Sequence, residues 1–370
     1  ARRSAMDDYT WKQKLQQRRI RQRRRFGLFF LLLSSLIAAT VWYFFFYVRT
    51  PEYTLKQLTL AMEQRDADAV RRYVNLDVLS SQIYDDLTVD LFAYDSTLTP
   101  ATRVMFEKFY VTIKPQLAGG LEQAALNRVE TGIWGLPDGT DILKGRQLGI
   151  DFERFIERSQ LRNTTWIRIG AIHHEGTSAT ADIEIVEDYT QTPFTLQVGL
   201  EQAADGHWQV SCIKNYRQYL DTIAPLQNGD IASYIDATQD IIDQFNSDFS
   251  AYQQRFGRLT KTSTGELSAA QRKALAALIA DEVIPSLKKR QQRLDETEVP
   301  PGAQYLARQR QQSTETTIKA WQHFLKGLRE NRQSEFATAE TLHKQELAID
   351  LRIQDIIRHT AISKNIPNLP

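Results

Sequence analysis

The chain has 370 residues, 42% of them hydrophobic and 25% charged. That is ordinary globular material, long enough for two domains, and it excludes a chain that is disordered throughout. The net charge of +1 conceals a steep asymmetry, which emerges when the sequence is divided at its longest apolar run.

Residues 1–25 carry ten cations, Arg2, Arg3, Lys12, Lys14, Arg18, Arg19, Arg21, Arg23, Arg24 and Arg25, against Asp7 and Asp8. Their net charge is +8, so the remainder carries −7. Residues 26–48, FGLFFLLLSSLIAATVWYFFFYV, contain no Asp, Glu, Lys, Arg or His, and about 20 apolar residues suffice to cross a hydrocarbon core. The sequence therefore predicts one transmembrane signal anchor over 26–48, making the protein single-pass in the cell membrane. Residues 1–25 form a basic cytoplasmic tail, because flanking Lys and Arg resist translocation. Residues 49–370 are expected to be extracytoplasmic, in the periplasm or at the cell surface. Arg18, Arg19, Arg21, Arg23, Arg24 and Arg25 carry the topology signal, and Trp42, Tyr43 and Tyr47 suit a headgroup-level aromatic belt.

A cleaved signal peptide fits less well. Its apolar core is roughly 7 to 15 residues and ends in small residues, whereas this run is longer and ends in aromatics. The block RRIRQRRR attracts phosphate in principle, but beside a span it is read as touching anionic lipid, not nucleic acid. Cys212 is the lone cysteine, so no intramolecular disulfide forms and no zinc or redox spacing exists.

Residues 51–223 read as an α+β unit, helices first and strands after. Leu55, Leu58 and Met62, then Ala69, Val70 and Tyr73, stand at helical spacing, and Asp66 between them can cap the second run. Asp77 can cap a third through Leu79, Ile83 and Leu87. Two further helices are predicted near 102–113 and 116–134, followed by a glycine-rich loop over 135–145 and a short amphipathic piece at 151–158. From Trp166 the period falls to two: Trp166, Arg168, Gly170 and Ile172 oppose Ile167, Ile169, Ala171 and His173. Turn signals at Glu175-Gly176 and Asp205-Gly206 divide the rest into strands, the latter suiting a two-residue hairpin. The product is a curved antiparallel meander of four strands with helices against it.

The segment LTLAMEQRDADAVRRYVNLDVLSSQIYDDL, followed later by GHWQVSCIKN, resembles bacterial membrane-anchored envelope domains of uncharacterised function with a nuclear-transport-factor-2-like, or cystatin-like, cone. The resemblance covers roughly residues 51–220 and rests on pattern. It implies a cone of helices on a bent sheet and carries no chemistry, since that scaffold hosts enzymes, binding modules and inert accessory domains alike.

After the linker IAPLQNGD the pattern changes at Gly229. Ile231, Tyr234, Ile235, Thr238, Ile241, Ile242, Phe245, Phe249, Tyr252 and Phe256 step by three and four. A second helix is predicted over 268–294, bent by Pro285. A third carries Tyr305, Ile318, Trp321, Leu325 and Leu328, and a fourth Phe336, Leu342, Leu347, Ile349, Ile353, Ile356 and Ile357. Four helices with short connections predict an antiparallel bundle over 229–362, with a frayed tail at 363–370.

No phosphate loop, metalloprotease helix, nucleophile elbow or cysteine pair is present. His173, Asp182 and Glu184 are the strongest candidates for an acid/base or metal-ligating set, with Tyr189 another residue able to line a pocket. Consecutive strand residues face opposite ways, so only one of His173 and His174 can face the cone. Apolar Trp166, Ile169, Ile183, Ile185, Phe194, Leu196 and Val198 are the alternative filling. No cofactor or metal is expected. The leading expectation is a non-enzymatic binding or scaffold protein of the bacterial cell envelope, whose partner is an envelope protein, a peptide or a wall polymer. A small hydrolase or isomerase using a pocket in the cone is one alternative. The other is a membrane-complex subunit making contacts through its span, where Ser35 and Ala39 permit close helix approach.

Overall fold

A computed structural model describes residues 27–88, 99–136, 151–261 and 266–364. Arg18, Arg19, Arg21, Arg23, Arg24 and Arg25, most of the glycine-rich loop and all but the start of the expected frayed tail lie outside the described residues.

Helix α1 (Gly27–Arg49) has a mean hydropathy of 2.1 and none of it is buried in the protein. Among the described residues it is the one helix long and apolar enough to cross a membrane. Ser34 and Thr40 donate their hydroxyls to the carbonyls of Leu31 and Leu36 at 3.0 and 2.8 Å, which satisfies them within the helix itself. Ser35 and Ala39 are both exposed on it.

The helix tightens into a 3₁₀ turn at Tyr47–Arg49 and passes without a free linker into α2 (Pro51–Gln64), where Thr50 is the N-cap and Pro51 opens the helix. Asp66 caps α3 (Ala67–Tyr73) as its position indicates, accepting from Ala69 N at 3.0 Å. The cap of α4 (Leu76–Thr88) is Asn75, not Asp77: Asn75 Oδ1 accepts from Val78 N at 3.3 Å. Asp77 sits inside the first turn, where it still favours the helix dipole.

The two helices expected at 102–113 and 116–134 are one, α5 (Pro100–Thr131), with Pro115 inside it. Proline removes one backbone bond, and the flanking turns carry the helix past it. A Cβ at Gly120 would stand 2.7 Å from the Phe152 ring, so glycine permits the approach of α6 (Phe152–Arg158), which Asp151 caps.

Strands β1 (Thr164–Glu175), β2 (Ser178–Glu187), β3 (Thr192–Gln202) and β4 (Trp208–Ile213) form an antiparallel meander in the order β1-β2-β3-β4. Ala179, Ala181, Ile183 and Ile185 of β2 are buried together with Leu55, Leu58, Tyr84 and Leu200. The clean alternation expected in β1 does not hold. Register shifts between Trp166 and Arg168 and between Ile169 and Ile172 put Trp166, Ile169, Ile172 and His174 opposite Ile185, Ile183, Ala181 and Ala179. Each bulge adds a residue to one strand and resets its facing. The β3–β4 connection is also longer than the expected two residues, with Ala203 N bonded to His207 O at 2.8 Å.

The predicted linker IAPLQNGD is helical. It lies within α7 (Tyr216–Leu259), 44 residues with Pro225 inside, about 66 Å long at 1.5 Å per residue. Tyr216, Tyr219 and Ile223 belong to the core under the sheet. Ile231 and Tyr234 belong to a second cluster with Ala303, Tyr305, Leu306 and Ile356.

The rest is a helical bundle. The predicted second helix is α8 (Ala269–Leu278), a π turn at Ile279–Val283 and α9 (Ile284–Asp295). The wider turn falls just before Pro285, the expected bend, and accommodates its ring and missing donor. The long helices α10 (Gln304–Glu330) and α11 (Gln333–Lys364) follow. Contacts Gln309–Arg352, Ser313–Asp350 and His323–Glu335 run in opposite directions along the last two, making an antiparallel hairpin. Arg255–Glu282 and Arg290–Phe245 do the same for α7 and α9 with its π turn.

Candidate functional site at the junction of sheet and bundle

The largest concentration of buried polar side chains lies where the sheet, α6, α10 and α11 meet. Glu187, the last residue of β2, is fully buried. Its carboxylate accepts from Tyr189 N at 2.9 Å, Thr190 N at 2.7 Å, the Thr190 hydroxyl at 2.6 Å and Gln227 Nε2 at 3.2 Å. A buried carboxylate persists only with such compensation. These bonds order the β2–β3 turn and tie it to α7.

That turn presents Tyr189, whose hydroxyl donates to Glu157 Oε1 at 3.0 Å and accepts from Arg308 of α10. Burial, then Glu157, pushes the Tyr189 phenol well above its ordinary value, so it stays a neutral donor. Glu157 is buried and is met by Arg162, which also bonds Glu153 at 2.7 Å. The Arg162 guanidinium lies 5.7 Å from the Tyr305 ring centroid.

Two further arginine pairs cross the junction. Arg352 of α11, 8% exposed, grips both oxygens of Asp151 and donates to Gln309 at 2.8 Å. Arg154 of α6 meets Asp355 at 3.1 Å, and His359 lies 3.1 Å from the other Asp355 oxygen. Burial alone would raise the Asp355 carboxyl, but the hydrogen bond and charge of His359, together with Arg154, hold it well below the usual carboxylate range. Beside these pairs Gly302 N donates to Asp230 Oδ2 at 2.8 Å, and a Cβ there would stand 2.7 Å from Gln227 Cα. Only glycine lets α10 begin this close to α7.

The carboxylates named in this cluster each have a donor and the arginines each have an acceptor, so the geometry holds two units in register. The interior of the bundle continues in kind. Arg310 donates to Thr238 at 2.7 Å, Arg290 to Thr314 at 2.6 Å and Ser313 to Asp350 at 2.7 Å. Burial lowers Arg290 to about 10, which leaves it charged at neutral pH.

The residues singled out in the sequence fall elsewhere. His173 pairs in register with Thr180, Asp182 with Gln197, and Glu184 with Arg168 and Thr195, all on the face away from the helices. His173 is exposed, and Glu184 is engaged by Arg168 at 2.7 Å. The histidine on the helix side is His174, bonded to Glu52 at 2.7 Å. Tyr189 lies in the junction cluster, not on the sheet. Among the described residues no group of three or more His, Cys, Asp or Glu is brought together as metal ligands. Two open surface hollows are present, one lined by Arg65, Asp66, Asp68 and Glu130, the other by Arg272, Lys273, Asp281 and Arg329. Ile183 and Ile185 are buried, and Ile169, Phe194, Leu196 and Val198 pack partly buried against them.

Trp42 stacks on Tyr47 with ring centroids 5.9 Å apart, and Tyr43 lies 5.6 Å from Tyr47. The ion network at the junction was not read from the sequence. Its signal was a gap: the apolar stripe of α10 breaks between Leu306 and Ile318, where Gln309, Arg310, Ser313, Thr314 and Thr317 are buried instead. The chain matches no family model, no curated protein and no solved structure.

Proposed function

We propose that the protein is a membrane-anchored, extracytoplasmic scaffold of the bacterial cell envelope, working by binding and not by catalysis. In this reading α1 spans the bilayer with residues 1–25 in the cytoplasm, and the α+β unit stands next to the membrane. The bundle is then the element that meets an envelope protein, a peptide or a wall polymer. The observation that carries it is α7, which contributes to the core under the sheet and to the junction cluster without interruption. A stiff rod shared by both units, clasped by partly buried ion pairs, suits a bracket that presents a surface at a fixed place.

The two bulges of β1 support a bent sheet, since a bulge bends its strand and raises its twist. That agrees with the nuclear-transport-factor-2-like cone the sequence resembles. The test is in-cell photocrosslinking with reactive residues at exposed Lys273, Lys288 and Gln311. A discrete adduct of reproducible mass at one face supports the scaffold reading. Silence at all three positions, together with turnover of an ester or peptide panel by the purified chain, overturns it.

A further inference from the structure

We infer that the β3–β4 hairpin tip, Ala203 to His207, lies in the lipid headgroup layer, so that the α+β unit rests on the outer leaflet at a fixed tilt. The inference rests on the anchoring reading of α1 and extends it to a second membrane contact.

The chain leaving α1 is bonded at each step. Phe46 N donates to Trp42 O at 3.0 Å, Arg49 N to Phe46 O at 3.2 Å and Thr54 N to Thr50 O at 3.2 Å. The Thr50 hydroxyl donates to Tyr47 O at 2.9 Å and accepts from Tyr53 N at 3.2 Å. No residue between the apolar helix and α2 is free to act as a swivel. β4 then grips this exit from the side: Trp208 Nε1 donates to Arg49 O at 3.0 Å, and the buried Thr54 hydroxyl donates to Trp208 O at 3.1 Å. Trp208 is itself 4% exposed, so the grip is part of the core.

Position along the bilayer normal follows from lengths. Twenty-three helical residues rise about 34 Å, against a hydrocarbon core of about 30 Å and a full bilayer of about 40–45 Å. Arg49 ends the apolar helix two residues after Tyr47, so its guanidinium falls among the headgroup phosphates, where arginine side chains settle. Whatever touches Arg49 is there too. A Cβ at Gly206 would lie 3.5 Å from Arg49 Cδ, Cζ and Nη1, so the hairpin tip is in contact with that side chain. Tyr53 extends the aromatic cluster from α1 into the domain, 5.5 Å from Tyr47. The tip is small and polar, Ala-Ala-Asp-Gly-His, and can sit among headgroups without exposing apolar surface to them.

The experiment uses the full chain in nanodiscs, with Cys212 replaced by Ser and a fluorophore at Ala204, Leu36 or Lys288, all exposed. The expected result is that headgroup-labelled phosphatidylcholine quenches the Ala204 probe at least threefold more than the Lys288 probe. Acyl-chain bromines quench the Leu36 probe, and Trp208→Phe reduces quenching at Ala204 while leaving Leu36 unchanged. Equal headgroup quenching at Ala204 and Lys288, with Leu36 still quenched by bromines, overturns the hairpin contact alone. Absence of bromine quenching at Leu36 overturns the anchoring reading beneath it.

Discussion

The two joints of this molecule are built from different forces. Where α1 meets the α+β unit, the connection is backbone continuity, neutral hydrogen bonds from Trp208 and Thr54, and the edge-to-face contact of Tyr47 with Tyr53. Where the α+β unit meets the bundle, it is a shared helix crossed by Asp151–Arg352 and Arg154–Asp355, with Arg308 on Tyr189 beside them. A neutral joint is indifferent to salt and pH. An ionic joint gains geometric specificity, and its loss on cutting one partner is large because the other charge is left desolvated. The difference predicts that the two joints fail under different insults.

The largest effect is expected at Arg352, whose removal strands Asp151 and Gln309. Arg352→Ala should cost about 3 kcal/mol, the lower part of the range for breaking a buried pair, because the Asp151 side chain is 31% exposed. Denaturant unfolding of the full chain in detergent measures it. A cost indistinguishable from that of cutting the exposed Lys344–Glu340 pair would mean that the clasp holds nothing.

Next comes Leu306→Ala, at a side chain fully buried in the junction cluster. It should cost about 2 kcal/mol, the lower end for a leucine truncated in a packed core, because the partly buried Tyr189, Ile235 and Ile353 beside the cluster can close on the space. Hydrogen exchange should speed up in α10 and in the middle of α7, and not in β2. Matching acceleration in β2 would show that the sheet core and the junction unfold as one. Trp208→Phe removes a single donor and should cost about 1 kcal/mol, with exchange raised only around Arg49 and Thr54.

The smallest effect is that of mild acid. Asp355 has a folded-state value below its unfolded one, so its contribution is fully present above about pH 3.9 and is lost as pH falls through the folded value. Glu335 behaves alike: Lys326 and His323 outweigh its partial desolvation and hold it at about 2 instead of 4.5. Exchange protection in α11 should therefore be flat from pH 7 to 5 and fall only in strong acid. A fall already at pH 6 would contradict the balance described for Asp355.

Much of this architecture was legible because burial leaves a period in the sequence. The apolar run of α1, the Asp66 cap, the four strands and the bundle helices all follow from spacing and turn chemistry. The misses have physical reasons. Pro225 and Gly229 read as breakers, yet Pro225 is exposed on α7, and the stripe Tyr216, Tyr219, Ile223, Ile231, Tyr234 runs on beneath it. Bulges in β1 cannot be read from alternation, since they are the places where alternation fails. The clasp was hidden because its partners, such as Asp151 and Arg352, are 201 residues apart, and a charged residue reads as solvated until its partner is found.

The most direct test of a single stiff bracket is a distance distribution between spin labels at exposed Lys56 on α2 and Lys288 on α9, in the full chain reconstituted in nanodiscs with Cys212 replaced by Ser. The account predicts one narrow distance, broadened by Arg352→Ala. A broad or two-peaked distribution in the unaltered chain would contradict it, because α7 would then hinge at the segment the sequence marks as a linker.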